Sequence, residues 1–206
     1  MKKIALILLL ITVLPSFKTA KPKVLLYIQD NSMDLNFMLT NEAGRMKQIL
    51  GQAGFVVDIA TISGEILKTD SMSVKPDIKL SEVNIREYSG FIMPCMATRD
   101  TIVSPEEINF VKKVVNSGKP VAAQNGAVCI LAKAGVLKAK KFALEESIKD
   151  MFPEIFKNAV YSGFGVVQDG NIITSGSCPM MARMTGHKDG TDELTNKLIE
   201  AIKAKN

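Results

Sequence analysis

Short unbroken apolar runs alternate along this chain with longer amphipathic stretches. Residues 23–28, Lys-Val-Leu-Leu-Tyr-Ile, follow Pro22 as one apolar run, the pattern of a strand covered on both faces. Residues 35–50 then keep a helical period through Leu35, Met38, Leu39, Met46, Ile49 and Leu50, with Gly51 and Gly54 at the end as C-cap residues. A second strand is predicted over 55–60. Residues 63–88 are polar and irregular, interrupted by Pro76, with a weakly amphipathic stretch over 80–88. A third strand is predicted over 90–93, stopped by Pro94.

Ser104-Pro-Glu-Glu has the form of a helix start: an N-cap hydroxyl, proline at the first helical position and acids in the first turn. That helix extends to Asn116 and stops at Ser117-Gly118. A short strand over 120–123 precedes a small-residue helix over 127–134, which Gly135 closes. Residues 160–167 and 171–175 read as a strand pair turned at Asp169-Gly170. An amphipathic helix over 191–203 completes the pattern. Strands alternating with helices predict a three-layer α/β/α sandwich with a mostly parallel sheet and a late β-hairpin, in a single domain over 23–203.

Composition changes this picture little, except at the N-terminus. Met1-Lys2-Lys3, an apolar run over 4–14 and the break at Pro15-Ser16 have the layout of a secretory signal over 1–20. The run is short for a membrane span. The expected location is therefore exported, periplasmic or extracellular, with no membrane attachment after cleavage. Removing Lys2, Lys3 and Lys18 lowers the basic count from 26 to 23 against 21 acids, so the net charge falls from +5 to +2. The remaining charges are mixed in sign, which excludes a nucleic-acid partner. Cys95, Cys129 and Cys178 match neither a zinc ribbon nor a CxxC redox motif.

Ligands of open parallel sheets bind beyond the carboxyl ends of the strands. The loops at 29–34, 94–99, 124–127 and 176–187 are thus candidate sites, and Asp30, Asp34, Asn36, Cys95, Met96, Gln124, Asn125 and Cys178 are candidate pocket residues for a small molecule. Gln124-Asn125-Gly126 passes from strand directly into helix, a sharp turn like a nucleophile elbow. Asn tolerates positive φ better than most residues, and Gly126 adds room.

Residues 118–123, the elbow and Ala134-Gly-Val-Leu-Lys-Ala-Lys-Lys141 together resemble the ThiJ/PfpI family, the DJ-type proteins. Residues 167–175 resemble its late hairpin and residues 90–94 its third strand. The resemblance implies a flavodoxin-like, class I glutamine amidotransferase-like fold and a homodimer. It also implies a cysteine at the elbow apex, where this chain has Asn125 followed by Gly126. The acid expected at the start of the first helix falls at Met33 or Asn36, with Asp34 the nearest carboxylate, and Cys95-Met96 replaces a pair of glycines.

An amide cannot supply a thiolate. The first reading is therefore a non-catalytic binding or stress-related protein without a cofactor. An alternative is a thiol-dependent hydrolase, glyoxalase-like or redox enzyme using Cys95 or Cys178; Cys129, among apolar neighbours, reads as buried packing. A second alternative draws on Cys178, Met181, Met184 and His187, whose soft ligands with one imidazole suit Cu(I).

Overall fold

The computed structural model describes residues 21–30, 32, 35–95 and 102–205. The expected signal segment, Met33, Asp34 and Met96 lie outside the described residues. Strand β1 (Lys23–Tyr27) leads into helix α1, built of Leu35–Met38, a π turn Leu39–Ala43 and Gly44–Gln52. Then follow β2 (Val56–Thr61), the two-residue β3 (Ile78–Lys79) and β4 (Tyr88–Met93). Helix α2 (Pro105–Asn116), β5 (Val121–Gln124) and α3 (Gly126–Lys133) form the middle of the chain. Strands β6 (Val166–Asp169) and β7 (Ile172–Ser175) precede α4 (Pro179–Thr185) and α5 (Thr191–Lys203).

Seven strands form one sheet in the order β6-β7-β5-β4-β1-β2-β3. Only the β6–β7 hairpin is antiparallel. Alternation along β1 assigns the two faces. Leu25 and Tyr27 join Phe91, Val121, Phe110, Val114 and Leu131 beneath α2 and α3. Val24, Leu26 and Ile28 join Ile92, Ala122, Met46, Leu50, Leu194 and Leu198 beneath α1 and α5. Each fully buried Leu or Ile stabilises the fold by roughly 1.5–3 kcal/mol, so both faces hold the sheet. Gly90 permits close approach of α5, since a Cβ there would lie 2.6 Å from Cδ1 of Ile202.

Helix α2 begins with a complete capping box. Ser104 Oγ accepts from the Glu107 N–H at 3.1 Å, and Glu107 Oε2 accepts from the Ser104 N–H at 2.7 Å. The buried Glu107 also accepts from the Tyr27 hydroxyl at 2.7 Å, which pins the helix start to β1.

Three predicted elements differ. The first helix contains a π turn, which the period of its apolar residues does not reveal. The 63–88 segment supplies edge strand β3 and a small hairpin, Leu67–Lys68 with Ser73–Val74. Residues 160–167 divide: Val160–Tyr161 pairs with Lys141–Phe142 in a separate two-stranded sheet, and only Val166 onward joins the main hairpin. Gly163 and Gly165 separate the two pieces. Among the described residues no helix is long and apolar enough to cross a membrane.

Candidate functional site

Asn125 forms the elbow between β5 and α3. Its φ of 44° and ψ of −110° fit neither helix nor strand, and its N–H donates to the Ser175 carbonyl at 2.6 Å. Helix α3 buries Ala127, Val128, Cys129, Ile130, Leu131 and Ala132, so packing holds this bend in place. The carboxamide thereby stands at the carboxyl end of the sheet, between the loops that leave β4 and β7.

Those loops carry the two thiols. Cys95 follows β4 and Cys178 caps α4, and β4 and β7 flank β5 in the sheet. The Cys95 and Cys178 sulfurs lie within 4.8 Å of one another, and the Asn125 amide donates to the Cys178 sulfur at 3.5 Å. Glu42, in the π turn of α1, completes the group. Its carboxylate accepts from the Cys95 N–H at 2.5 Å, and one carboxylate oxygen and both sulfurs all lie within 4.8 Å of one another.

Cys178 is held down to about 6 by the Cys95 S–H, aided by the Met181, Asn125 and Met180 N–H groups, against the cost of burial. Cys95 moves far upward, because donating to Cys178 keeps its proton in place and burial adds to this. Burial pushes Glu42 well above the usual carboxylate range, reinforced by the Cys178 thiolate; the bond from Cys95 opposes the shift. At neutral pH Cys178 is thus the favoured thiolate of the pair, and Cys95 keeps its proton. Cys129 is buried one turn into α3, where desolvation pushes its thiol up to about 12.

Several candidate residues serve elsewhere. Gln124 is buried behind the elbow, its amide donating to the Ser177 carbonyl and Thr191 Oγ1 at 2.8 and 3.0 Å. Asp30 accepts from the Ser63 N–H at 2.8 Å. Asn36 is exposed and accepts from Thr69 and Ser71, tying α1 to the 67–74 hairpin. Asn36 therefore does not supply the acid position; Glu42 supplies the carboxyl group from within the helix. The proposed Cu(I) set does not converge. Met184 is 72% exposed, and His187 stacks on Phe164 while its Nδ1 lies 3.2 Å from Glu145 Oε2. Sequence reasoning missed Glu42, although an acid on the stripe Met38, Leu39, Met46 and Ile49 was a legible signal.

The sequence profile of the DJ-1/PfpI family matches residues 22–188, and the chain belongs to that family. It is 29% identical over 150 residues to a deglycase of Pyrococcus horikoshii, covering 69% of this chain and 89% of the relative. An uncharacterized protein of Archaeoglobus fulgidus is also 29% identical, over 128 residues, covering 61% of this chain and 75% of that one. Among solved structures, a ThiJ/PfpI domain protein from Brachyspira murdochii aligns with TM-score 0.71 at 17% identity, covering 90% of this chain and 99% of its own. Drosophila melanogaster DJ-1beta aligns with TM-score 0.64 at 22% identity, covering 90% and 97%. These two likenesses establish the fold.

Proposed function

We propose that this chain is a thiol-reactive protein in which Cys178 attacks an electrophile of the hydroperoxide class and Cys95 resolves the product. The observation that carries this reading is the approach of the Cys95 and Cys178 sulfurs to within 4.8 Å, with the elbow amide donating to Cys178. The Cys178 thiolate attacks one peroxide oxygen and the O–O bond breaks. The leaving alkoxide takes a proton from solvent, and Cys178 becomes a sulfenic acid. The Cys95 sulfur then attacks that sulfur; its proton leaves with the hydroxide as water, and a disulfide forms. A small-molecule thiol restores the pair by exchange. Asn125 holds the thiolate, and Glu42 fixes the backbone that carries Cys95.

The same thiolate adds to reactive carbonyls, and the deglycase name of the P. horikoshii relative makes methylglyoxal a second substrate to try. Export and a two-chain assembly belong to this proposal, supported by the leader-like residues 1–20 and the family resemblance. Export would place the pair in an oxidising compartment, where the disulfide is the resting form.

The test is thiol counting after stoichiometric alkyl hydroperoxide. Expected are one intramolecular Cys95–Cys178 disulfide, an intact Cys129 and no consumption by Cys178→Ser. Cys95→Ser should stop at a sulfenic acid trapped by dimedone. If neither thiol reacts faster than a free cysteine and methylglyoxal is not turned over, a non-catalytic binding role takes the place of this one.

A further inference from the structure

We propose that Glu42, Cys95 and Cys178 also form a binding site for one divalent cation of the zinc class, with the Asn125 carboxamide in the fourth position. This goes beyond thiol turnover, because it requires no electrophile and no change of oxidation state. The three donors lie within 4.8 Å of one another on a π turn, a strand end and a helix cap. A tetrahedral site with metal–sulfur and metal–oxygen bonds of about 2.3 and 2.1 Å spaces its ligands by roughly 3.4–3.8 Å. A modest inward shift of three side chains reaches that spacing.

A second observation points to the same place. Asn125 is 1% exposed, and its Oδ1 is buried without a hydrogen-bond partner, although its Nδ2 reaches Cys178. An orphaned carbonyl oxygen costs stability unless something accepts its lone pairs. Turning the amide over would place that oxygen beside Cys178, as a neutral fourth ligand.

Electrostatics favour a cation here. The acidic groups of the cluster act on one another, and Asp189 adds to the negative field at Glu42. Binding would need both thiols and the carboxyl group as anions, with their protons released to solvent. Two thiolates disfavour magnesium and calcium, whereas the carboxylate and amide oxygens suit a borderline ion better than Cu(I).

The test uses the full chain, reduced and free of oxygen, titrated with Zn2+ against a chromophoric chelator and separately with Co2+. The expected result is one equivalent bound, with Co2+ developing a thiolate charge-transfer band and intense tetrahedral d–d bands. Cys95→Ser and Cys178→Ser should each weaken binding and cut the charge-transfer intensity by about half, the double variant should lose that band, Glu42→Gln should weaken binding by at least about tenfold, and Met184→Leu should change nothing. Thermal melts establish that each variant folds. Absence of saturable one-equivalent binding, or binding unchanged in Cys95→Ser, overturns the proposal; should Glu42→Gln not fold, wild type against Cys95→Ser decides it. The two readings part in wild type: one equivalent of cobalt bound without disulfide formation under alkyl hydroperoxide sinks the thiol reading alone, and disulfide formation without saturable metal binding sinks this one.

Discussion

The backbone N–H of Cys95 donates to Glu42 at 2.5 Å, joining the end of β4 to the π turn of α1 across the top of the sheet. This bond consumes part of a buried carboxyl group to hold one thiol of a pair. The π turn matters because it carries Glu42 inward on an otherwise apolar face, where an extra residue per turn is tolerated only at some cost.

Reactivity should follow the Cys178 thiolate. In wild type, the rate of alkylation by iodoacetamide should rise with pH through about 6 and be level by neutral pH. Cys95→Ala removes the principal donor, so the same curve should move upward by a unit or more. A curve unmoved by that change would show that the pair does not set the charge.

Glu42 should leave a mark on stability. Its carboxyl is held protonated in the folded state beyond the usual carboxylate range, whereas the unfolded chain ionises near 4.5. The unfolded state then binds fewer protons, and stability should fall as pH rises above 4.5, by up to about 1.4 kcal/mol per unit until the folded group ionises. Glu42→Gln should abolish this component of the slope in urea denaturation measured across pH 4.5–8.

Asn125→Gly should separate backbone from side chain at the elbow. Glycine accommodates a positive φ without a Cβ, so relief of strain should offset much of its entropic cost and keep stability within about 1 kcal/mol of wild type. Losing the amide donor should nonetheless raise the pH at which Cys178 alkylates. A drop of several kcal/mol in urea midpoint analysis would show that the carboxamide, rather than packing, holds the bend.

Glu107→Ala should cost about 2–4 kcal/mol in denaturant unfolding. It removes the capping box and leaves the buried Tyr27 hydroxyl unpaired. Tyr27→Phe in the same background should recover part of the loss, because the orphaned hydroxyl goes with it.

The legible parts of this chain were those with local physical signals. Ser104-Pro105 and Glu107 announce α2 through capping, and α5 declares itself through the stripe Leu194, Leu198 and Ile202. The elbow was visible because a strand runs into a helix with only Asn125 and Gly126 to turn it. What escaped notice depends on distant partners. Strand β3 is two residues long and exists only because β2 lies beside it. Glu42 escaped because the resemblance points to an acid at the start of the helix, around Met33, Asp34 or Asn36, rather than on its buried stripe. The meeting of Cys95 with Cys178 follows from β4 and β7 flanking β5, a neighbourhood that spacing along the chain does not encode.

On the proposed chemistry, that neighbourhood would tie the state of the thiol pair to thermal endurance. A covalent bridge between the segments on either side of the elbow strand would lasso roughly 80 residues of the denatured chain, a restriction equivalent to about 4.5 kcal/mol in the loop-entropy description. A molecule bridged in this way should therefore outlast the unbridged one under heat, with the cross-link lying beside the elbow.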